Sequence, residues 1–155
     1  MDWLNAGIAP LQELVAFLQK ESKTSNIVKK QLIMELRDNL NMLSNGFLNQ
    51  TSYDVMIDML HNEAIRQAVS KNFAFRKLKP GTLQLSHIHD ERNRKYQGWN
   101  AERIVDKIDE KIVELRNLKK MNGGTVSGLR NNLTLMMGNL YFRMKLLADF
   151  IQSQP

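Results

Sequence analysis

Apolar residues recur every three or four positions through most of this chain, with one interruption. The clearest run stands at positions 126, 129, 133, 136, 140, 144, 147 and 151. Such steps place side chains on one face of an α-helix. The pattern therefore predicts an amphipathic helix near the end of the chain, packed against other helices.

Four further segments have the same spacing and are also predicted as helices. They cover residues 8–20, about 25–46, about 52–75 and about 100–121. Asn100 is a favourable cap for the fourth helix. The turn-forming sequence Asn122-Gly123-Gly124 predicts that the last two helices form an antiparallel hairpin.

Glycine, proline and small polar residues predict where these helices begin and end. Pro10 suits the first turn of a helix, so the first helix is predicted to begin near Ile8. Gly46 is a natural stop signal for the second helix. Thr125 or Ser127 is predicted to open the last one.

Residues 71–99 interrupt the helical pattern. Pro80-Gly81 marks a turn, and the alternating residues that follow predict a brief strand or a loop laid over the bundle. Leu83, Leu85, His87 and His89 would then share one face. The predicted fold is a single all-α domain over residues 1–155, a four- or five-helix, mostly antiparallel bundle with a long irregular crossover at about residues 71–99.

Most of the net positive charge of the chain lies in the same segment, residues 71–99. The chain of 155 residues has a net charge of +6, and residues 71–99 contain seven lysines and arginines against two carboxylates. Concentrated positive charge favours an anionic partner such as a nucleic acid, a nucleotide or an acidic protein surface. The alternative is that an exposed connection simply contains solubilising charge.

The candidate anion-binding residues all lie in or next to this segment. Cations can contact phosphates or carboxylates, and exposed rings can stack on bases. The candidates are Lys77, Lys79, His87, His89, Arg92, Arg94, Lys95 and Trp99. Phe73 and Phe75 are instead predicted to fill the end of the bundle, where aromatic residues are usually buried.

The sequence gives little support to catalysis. His87 and His89, followed by Asp90 and Glu91, have the residue types of metal ligands, but a third ligand at a recognisable spacing is missing. We therefore predict no metal and no cofactor. A nucleophile elbow, a phosphate-binding P-loop and the arginine-then-histidine spacing of one class of helical RNases are also missing. No catalytic residue is predicted.

Cysteine content and hydropathy bear on the compartment. The chain contains no cysteine, which excludes disulfides and thiolate chemistry. No apolar run approaches the ~20 residues of a membrane-spanning helix, and the first residues lack the basic stretch of a signal peptide. These features predict a cytoplasmic protein.

Extra apolar width on two helices predicts association. Ile33 and Met42 flank the second stripe, and Leu135, Tyr141 and Phe142 lie off the last one. Such width fits a central position in the bundle or a subunit interface. The sequence favours a non-catalytic adaptor or regulatory protein, a homodimer that binds a protein partner through helical faces and an anionic surface through its basic insert. The alternative is a small RNA- or DNA-binding protein; a helical nuclease is the third possibility.

Overall fold

All regular secondary structure in the described part of the chain is helical. The computed structural model describes the backbone of residues 2–153 and the side chains of residues 11–153. The six helices of this part are α1 (Asp2–Glu21), α2 (Ile27–Leu48), α3 (Tyr53–Met59), α4 (Glu63–Ser70), α5 (Ala101–Met121) and α6 (Leu133–Gln152). The predicted all-α class is confirmed. None of these helices is long and apolar enough to cross a membrane.

Short polar side chains begin most of these helices. The side-chain oxygens of Asn26, Ser52, Asn100 and Asn132 each accept a hydrogen bond from the backbone N–H three residues further on. These bonds satisfy donors that have no partner within the helix. The predicted cap at Asn100 is confirmed.

Helix α6 is the central element of the bundle. It packs against α1, α2 and α5, and its buried residues occur on nearly every side of the helix. Ile33, Tyr141 and Phe142, part of the extra apolar width seen in the sequence, are buried within the chain. The core explains their apolar character without a subunit interface.

The predicted third helix is instead two short helices with a break at residues 60–62. Leu60 is extended, with φ −68° and ψ 140°. The side chain of Asn39 in α2 accepts a hydrogen bond from the His61 N–H at 3.0 Å and donates to the His61 carbonyl at 2.8 Å. These bonds satisfy backbone groups that a continuous helix would otherwise use.

Helix α4 is held from outside by charged side chains. The Glu35 carboxylate accepts hydrogen bonds from the Ala64 and Ile65 N–H groups, at 2.7 and 3.4 Å. From α5, Arg116 donates to the Leu60 carbonyl and to the Asn62 side chain. The apolar spacing of residues 52–75 does not reveal these contacts.

Two predicted helix ends were wrong for local reasons. Helix α1 begins at Asp2, so Pro10 lies inside it rather than in its first turn. Helix α2 continues through Gly46, which is buried against α3. A Cβ atom at Gly46 would lie 2.8 Å from Met56 Cε, so glycine permits a close approach of helices there instead of ending one.

The last helix begins later than predicted. Residues 122–132 form a loop, and α6 starts at Leu133 instead of near Thr125. The Asp54 carboxylate accepts hydrogen bonds from the Thr125 hydroxyl at 2.6 Å and from the Val126 N–H at 2.7 Å. Val126 is buried although it lies outside the helix.

Candidate anion-binding surface

Residues 71–99, here called the basic connection, contain three short 3-10 turns. The turns are Phe75–Lys77, Leu85–His87 and Glu91–Tyr96. Leu83 is fully buried, and its N–H and carbonyl bond to the Trp99 carbonyl and the Gly98 N–H, both at 2.8 Å. Buried apolar residues and backbone hydrogen bonds thus attach the basic connection to the bundle.

The predicted shared face of the alternating residues was wrong. Leu83 is 0% exposed and Leu85 is 59% exposed. An extended segment would place both on one side, but the 3-10 turn at Leu85–His87 changes the direction of the chain. Among described residues, Thr82 and Asn100 form only an isolated antiparallel bridge here.

The third turn is fixed to α6 by polar contacts. The buried Asn93 side chain donates to the Phe142 carbonyl at 3.1 Å. The Arg143 guanidinium donates to the Tyr96 hydroxyl from Nε at 3.0 Å and from Nη2 at 2.8 Å. The third turn is therefore bound to α6 at two of its residues, Asn93 and Tyr96.

Arg92 contacts other residues of the protein, although its side chain is 37% exposed. Its Nε contacts Asp90 Oδ1 at 2.9 Å, its Nη1 donates to Asn139 Oδ1 at 3.2 Å, and its guanidinium lies 4.1 Å from the Phe142 ring centroid. A cation with a carboxylate, an amide and a ring as partners has less capacity for an outside ligand. The structure places Arg92 mainly in the attachment of the third turn.

Lys79 and His87 lie at the C-terminal end of α6. The Lys79 ammonium donates to the Ser153 carbonyl and lies 5.8 Å from the Phe150 ring centroid. His87 lies 5.2 Å from the same ring, and its Nδ1 accepts the Gln84 N–H at 2.9 Å. Burial, with Lys79 and His89 adding repulsion, lowers the pKa of His87, so this ring is neutral at pH 7.

His89 is exposed beside a small hollow of about 70 Å³ over α6. Lys145 and Asp149 also line this hollow. Burial raises the pKa of the Asp149 carboxyl, against the opposing effect of Lys145 and His89. His89 therefore faces a carboxyl group as well as a cation, which makes this hollow a poor anion site.

Five of the candidates are exposed to solvent: Lys77, His89, Arg92, Arg94 and Lys95. Arg92 is bound to α6 and His89 lines the hollow, which leaves Lys77, Arg94 and Lys95. The two carboxylates of the basic connection are both used by its own arginines: Asp90 pairs with Arg92 at 2.9 Å, and Glu91 lies 3.6 Å from Arg94. Five cations of the connection have no carboxylate oxygen of the described residues within 4.0 Å. They are Lys71, Arg76, Lys77, Lys79 and Lys95.

The aromatic residues of the connection are mostly part of the core. Phe75 and Tyr96 are buried, and Phe73 packs edge-on against Phe75 at 5.3 Å. The predicted role of Phe73 and Phe75 in filling the bundle is confirmed. Trp99 is half-buried, and its ring lies 4.8 Å from Tyr96.

Two arginines that sequence reasoning missed approach this aromatic pair. Arg103 in α5 stacks on Trp99 with 4.1 Å between guanidinium carbon and ring centroid, four residues after it in the chain. Arg143 lies 5.5 Å from the Tyr96 ring centroid. The signal for Arg143 was its position among apolar residues: with Lys145 and Asp149 it is one of three charged residues in α6.

A cleft of about 370 Å³ lies between the connection and the start of α5, with Arg76, Lys79 and Glu102 among its lining residues. The carboxylate in its wall balances part of the positive charge. Within the described residues, no group of three histidine, aspartate or glutamate side chains could hold a metal ion. Glu110 and Glu114 of α5 form ion pairs with Lys107 at 3.4 Å and with Lys111 at 2.9 Å.

Comparison of the chain with protein-family models, with curated proteins and with solved structures found no match.

Proposed function

We propose that this protein is a non-catalytic adaptor or regulatory protein with two contact surfaces. One is the basic connection, which binds an acidic surface of a partner. The other is an apolar surface at the opposite end of the bundle, which binds protein. The observation that carries the proposal is the set of five connection cations without a carboxylate partner among the described residues.

The position of the connection supports this role. It contacts the beginning of α5 and the middle and C-terminal end of α6, and it is attached there by buried side chains such as Asn93. Cations on an attached surface lose less freedom on binding than cations on a free loop. Lys77 and Lys95 are therefore available to an acidic partner in a defined arrangement, and Arg94, which is 69% exposed beside Glu91, can join them.

Exposed apolar side chains support the second surface. Tyr53 in α3 bonds to Thr134 near the start of α6, and Lys119 near the end of α5 pairs with Asp58 of α3 at 2.7 Å. These contacts bring α3, the start of α6 and the end of α5 to one end of the bundle. Large apolar side chains at this end are 44–83% exposed: Leu48, Val55, Met59, Met121 and Leu135.

A small nucleic-acid-binding protein is the second candidate. The half-buried Trp99 beside Arg103 favours it, because bases stack on rings and guanidinium groups. The burial of Phe75 and Tyr96 counts against it, since neither ring offers a free face for stacking. An acidic protein surface requires charge alone and fits the connection better.

A charge-matched pair of variants tests the basic surface. The test variant is Lys77→Gln, Arg94→Gln and Lys95→Gln together. The control is Lys30→Gln, Lys120→Gln and Arg130→Gln, which changes the net charge equally at exposed positions outside the connection. Labelled poly-glutamate and a single-stranded oligonucleotide of equal charge are titrated at two salt concentrations.

We expect the test variant to bind poly-glutamate about tenfold more weakly than wild type at low salt, because three cations are removed from the contact. The control should bind nearly as wild type does, and higher salt should weaken all binding. Equal loss in both triple variants would show that net charge alone matters and would overturn the proposed surface. Tighter binding of the oligonucleotide than of poly-glutamate would favour the nucleic-acid candidate.

A further inference from the structure

Two rings and three cations form a cluster where the third 3-10 turn meets α5 and α6. Tyr96 and Trp99 pack edge to face, with ring centroids 4.8 Å apart. The Arg103 guanidinium lies 4.1 Å from the Trp99 centroid. Lys95 and Arg143 lie 5.4 and 5.5 Å from the Tyr96 centroid. We call these five residues the Tyr96–Trp99 cluster.

Arg143 is the unusual member of this cluster. It is 4% exposed, yet no carboxylate oxygen in the described part of the chain lies within 4.0 Å of its guanidinium. Its hydrogen bonds go to the Tyr96 hydroxyl. Buried arginines are normally paired with an anion, and an unpaired buried charge costs several kcal/mol. A bound anion would supply the missing negative charge.

The two solvent-exposed cations of the cluster, Arg103 and Lys95, also lack a carboxylate partner among the described residues. Arg103 and Lys95 are exposed, and neither has a described carboxylate oxygen within 4.0 Å. Three positive charges around two rings attract an anion with more than one charge. A phosphate group has this charge, and its oxygens match the fork of a guanidinium.

We propose that the Tyr96–Trp99 cluster is a binding site for a small phosphate-bearing ligand. Arg103 and Lys95 contact the phosphate oxygens from the solvent side. Arg143 is a positioning residue: it orients the Tyr96 hydroxyl and adds positive potential from beneath, where low polarisability strengthens its effect. Trp99 forms the wall against which the ligand rests.

The inference goes beyond the proposed function. The connection binds an acidic surface through dispersed cations, whereas this site takes a small anion and needs Arg103 and Arg143, which lie outside the connection. A free diphosphate, a nucleoside diphosphate and the terminal phosphate of an oligonucleotide share the required chemistry. The test therefore includes each of them.

Trp99 fluorescence provides a readout at the site itself. The chain's only other tryptophan is Trp3, so the measurements use a Trp3→Phe background. Pyrophosphate, a nucleoside diphosphate, a 5′-phosphorylated oligonucleotide and oligo-glutamate are titrated into this protein. We expect a saturable change in emission with the phosphate compounds and a parallel rise in Tm, since a ligand that binds only the folded state stabilises it.

Arg103→Gln is the decisive variant because Arg103 is exposed and its loss should leave folding intact. We expect pyrophosphate affinity to fall at least about tenfold, the usual effect of losing a charged hydrogen bond. Arg130→Gln is the matched control, an exposed arginine removed elsewhere, and should bind as the background protein does.

The role of the buried pair, Arg143 and Tyr96, is tested with a variant that should still fold. Arg143→Met together with Tyr96→Phe removes donor and acceptor at once, so no buried group is left without a partner. We expect this double variant to unfold cooperatively and to lose pyrophosphate binding; if it fails to fold, Arg103→Gln alone decides.

Three results would overturn the phosphate site. They are no saturable response to any phosphate compound, equal affinity in Arg103→Gln and its control, or tighter binding of oligo-glutamate than of pyrophosphate. The most tightly bound phosphate compound identifies the source of the phosphate. Binding of poly-glutamate that depends on Lys77, Arg94 and Lys95, without any response to pyrophosphate, would sink this inference and leave the proposed function standing.

Discussion

Single carboxylates hold loops and helix starts in place at two positions of this fold. Asp54 bonds to Thr125 and Val126 across the loop before α6, and Glu35 bonds to the first turn of α4. The two groups differ in environment. Hydrogen bonds from the Thr125 hydroxyl and the Val126 N–H lower the pKa of Asp54, whereas burial raises the pKa of Glu35 despite its backbone bonds.

Opposite shifts predict opposite dependences of stability on pH. Because the folded pKa of Asp54 is below 3.8, its contribution is present above that pH and is lost as the pH falls through the folded pKa. Asp54→Asn should therefore destabilise the protein at neutral pH, and its difference from wild type should shrink in acid. Urea unfolding at several pH values measures this difference.

Glu35→Gln is the matched variant, for which the change of stability with pH should have the opposite sign to that of Asp54→Asn. A raised pKa means that the stability contributed by Glu35 is fully present below pH 4.5 and is lost as the pH rises through the folded pKa. Relative to wild type, Glu35→Gln should gain stability as the pH rises, while Asp54→Asn should lose it. Parallel profiles for the two variants would contradict the assigned causes.

At the scale of elements, the break between α3 and α4 depends on α2. Asn39 is buried and satisfies both backbone groups of His61, and its amide is the only side-chain partner that the described residues give to that peptide. The break in turn directs α4 against α2, to which Glu35 bonds it. A polar residue in the core therefore determines the path of the following chain.

Replacing Asn39 with alanine should lower the free energy of unfolding by about 1–2 kcal/mol, because the N–H and carbonyl of His61 lose their partner together and the core loses a buried side chain. Asn117→Ala is the control: this exposed asparagine of α5 should change stability by less than about 0.5 kcal/mol. Urea denaturation compares the two. Equal stability of both variants would show that the break does not depend on Asn39.

The sequence predicts those elements whose pattern is local, and it does not predict features that depend on contacts between distant residues. The buried stripe of α5, with Ile104, Ile108 and Ile112, is readable because helical spacing is local. The break at His61 and the close approach at Gly46 are determined by residues on other helices, Asn39 and Met56. Local spacing has no information about such contacts.

For the candidate site, too, one part can be predicted from the sequence and another part depends on tertiary contacts. A concentration of cations is visible in the composition of residues 71–99, so the basic connection could be located from sequence alone. Which of these cations are free depends on tertiary contacts, such as those of Arg92 with Asn139 and Phe142. Arg143 could not be assigned from spacing, because its burial results from the third 3-10 turn packing on α6.

At the scale of the whole molecule, the basic connection and the exposed apolar side chains around α3 lie at different ends of α5. The start of α5 and the end of α6 contact the basic connection, through the first 3-10 turn and through Phe150. The other ends of both helices meet α3, where exposed apolar side chains gather. Helix α6 has 20 residues, which corresponds to about 30 Å between its ends. The two proposed partners would contact different parts of the bundle, although the third 3-10 turn reaches α6 near its middle, at Asn139, Phe142 and Arg143.

The apolar end gives the predicted homodimer a location. Tyr141 and Phe142 are buried in the core, so the prediction now rests on exposed residues such as Met59 and Leu135. Self-association through a twofold contact would cover them on both copies. We expect sedimentation at micromolar concentration to give twice the mass of the chain, and Met59→Lys with Leu135→Lys to give a monomer, because burying two charges opposes association.

Leu85→Lys is the matched control for this prediction. Leu85 is also a strongly exposed leucine, but it lies on the basic connection at the other end of the molecule. Its replacement adds one lysine, against two in the test variant, and should leave the dimer intact because the new charge lies outside the proposed interface. A wild-type mass of one chain at every concentration would refute the homodimer and would leave the apolar end to a partner of different sequence. Dissociation by Leu85→Lys alone would instead place the interface on the connection, where it would compete with the proposed acidic partner.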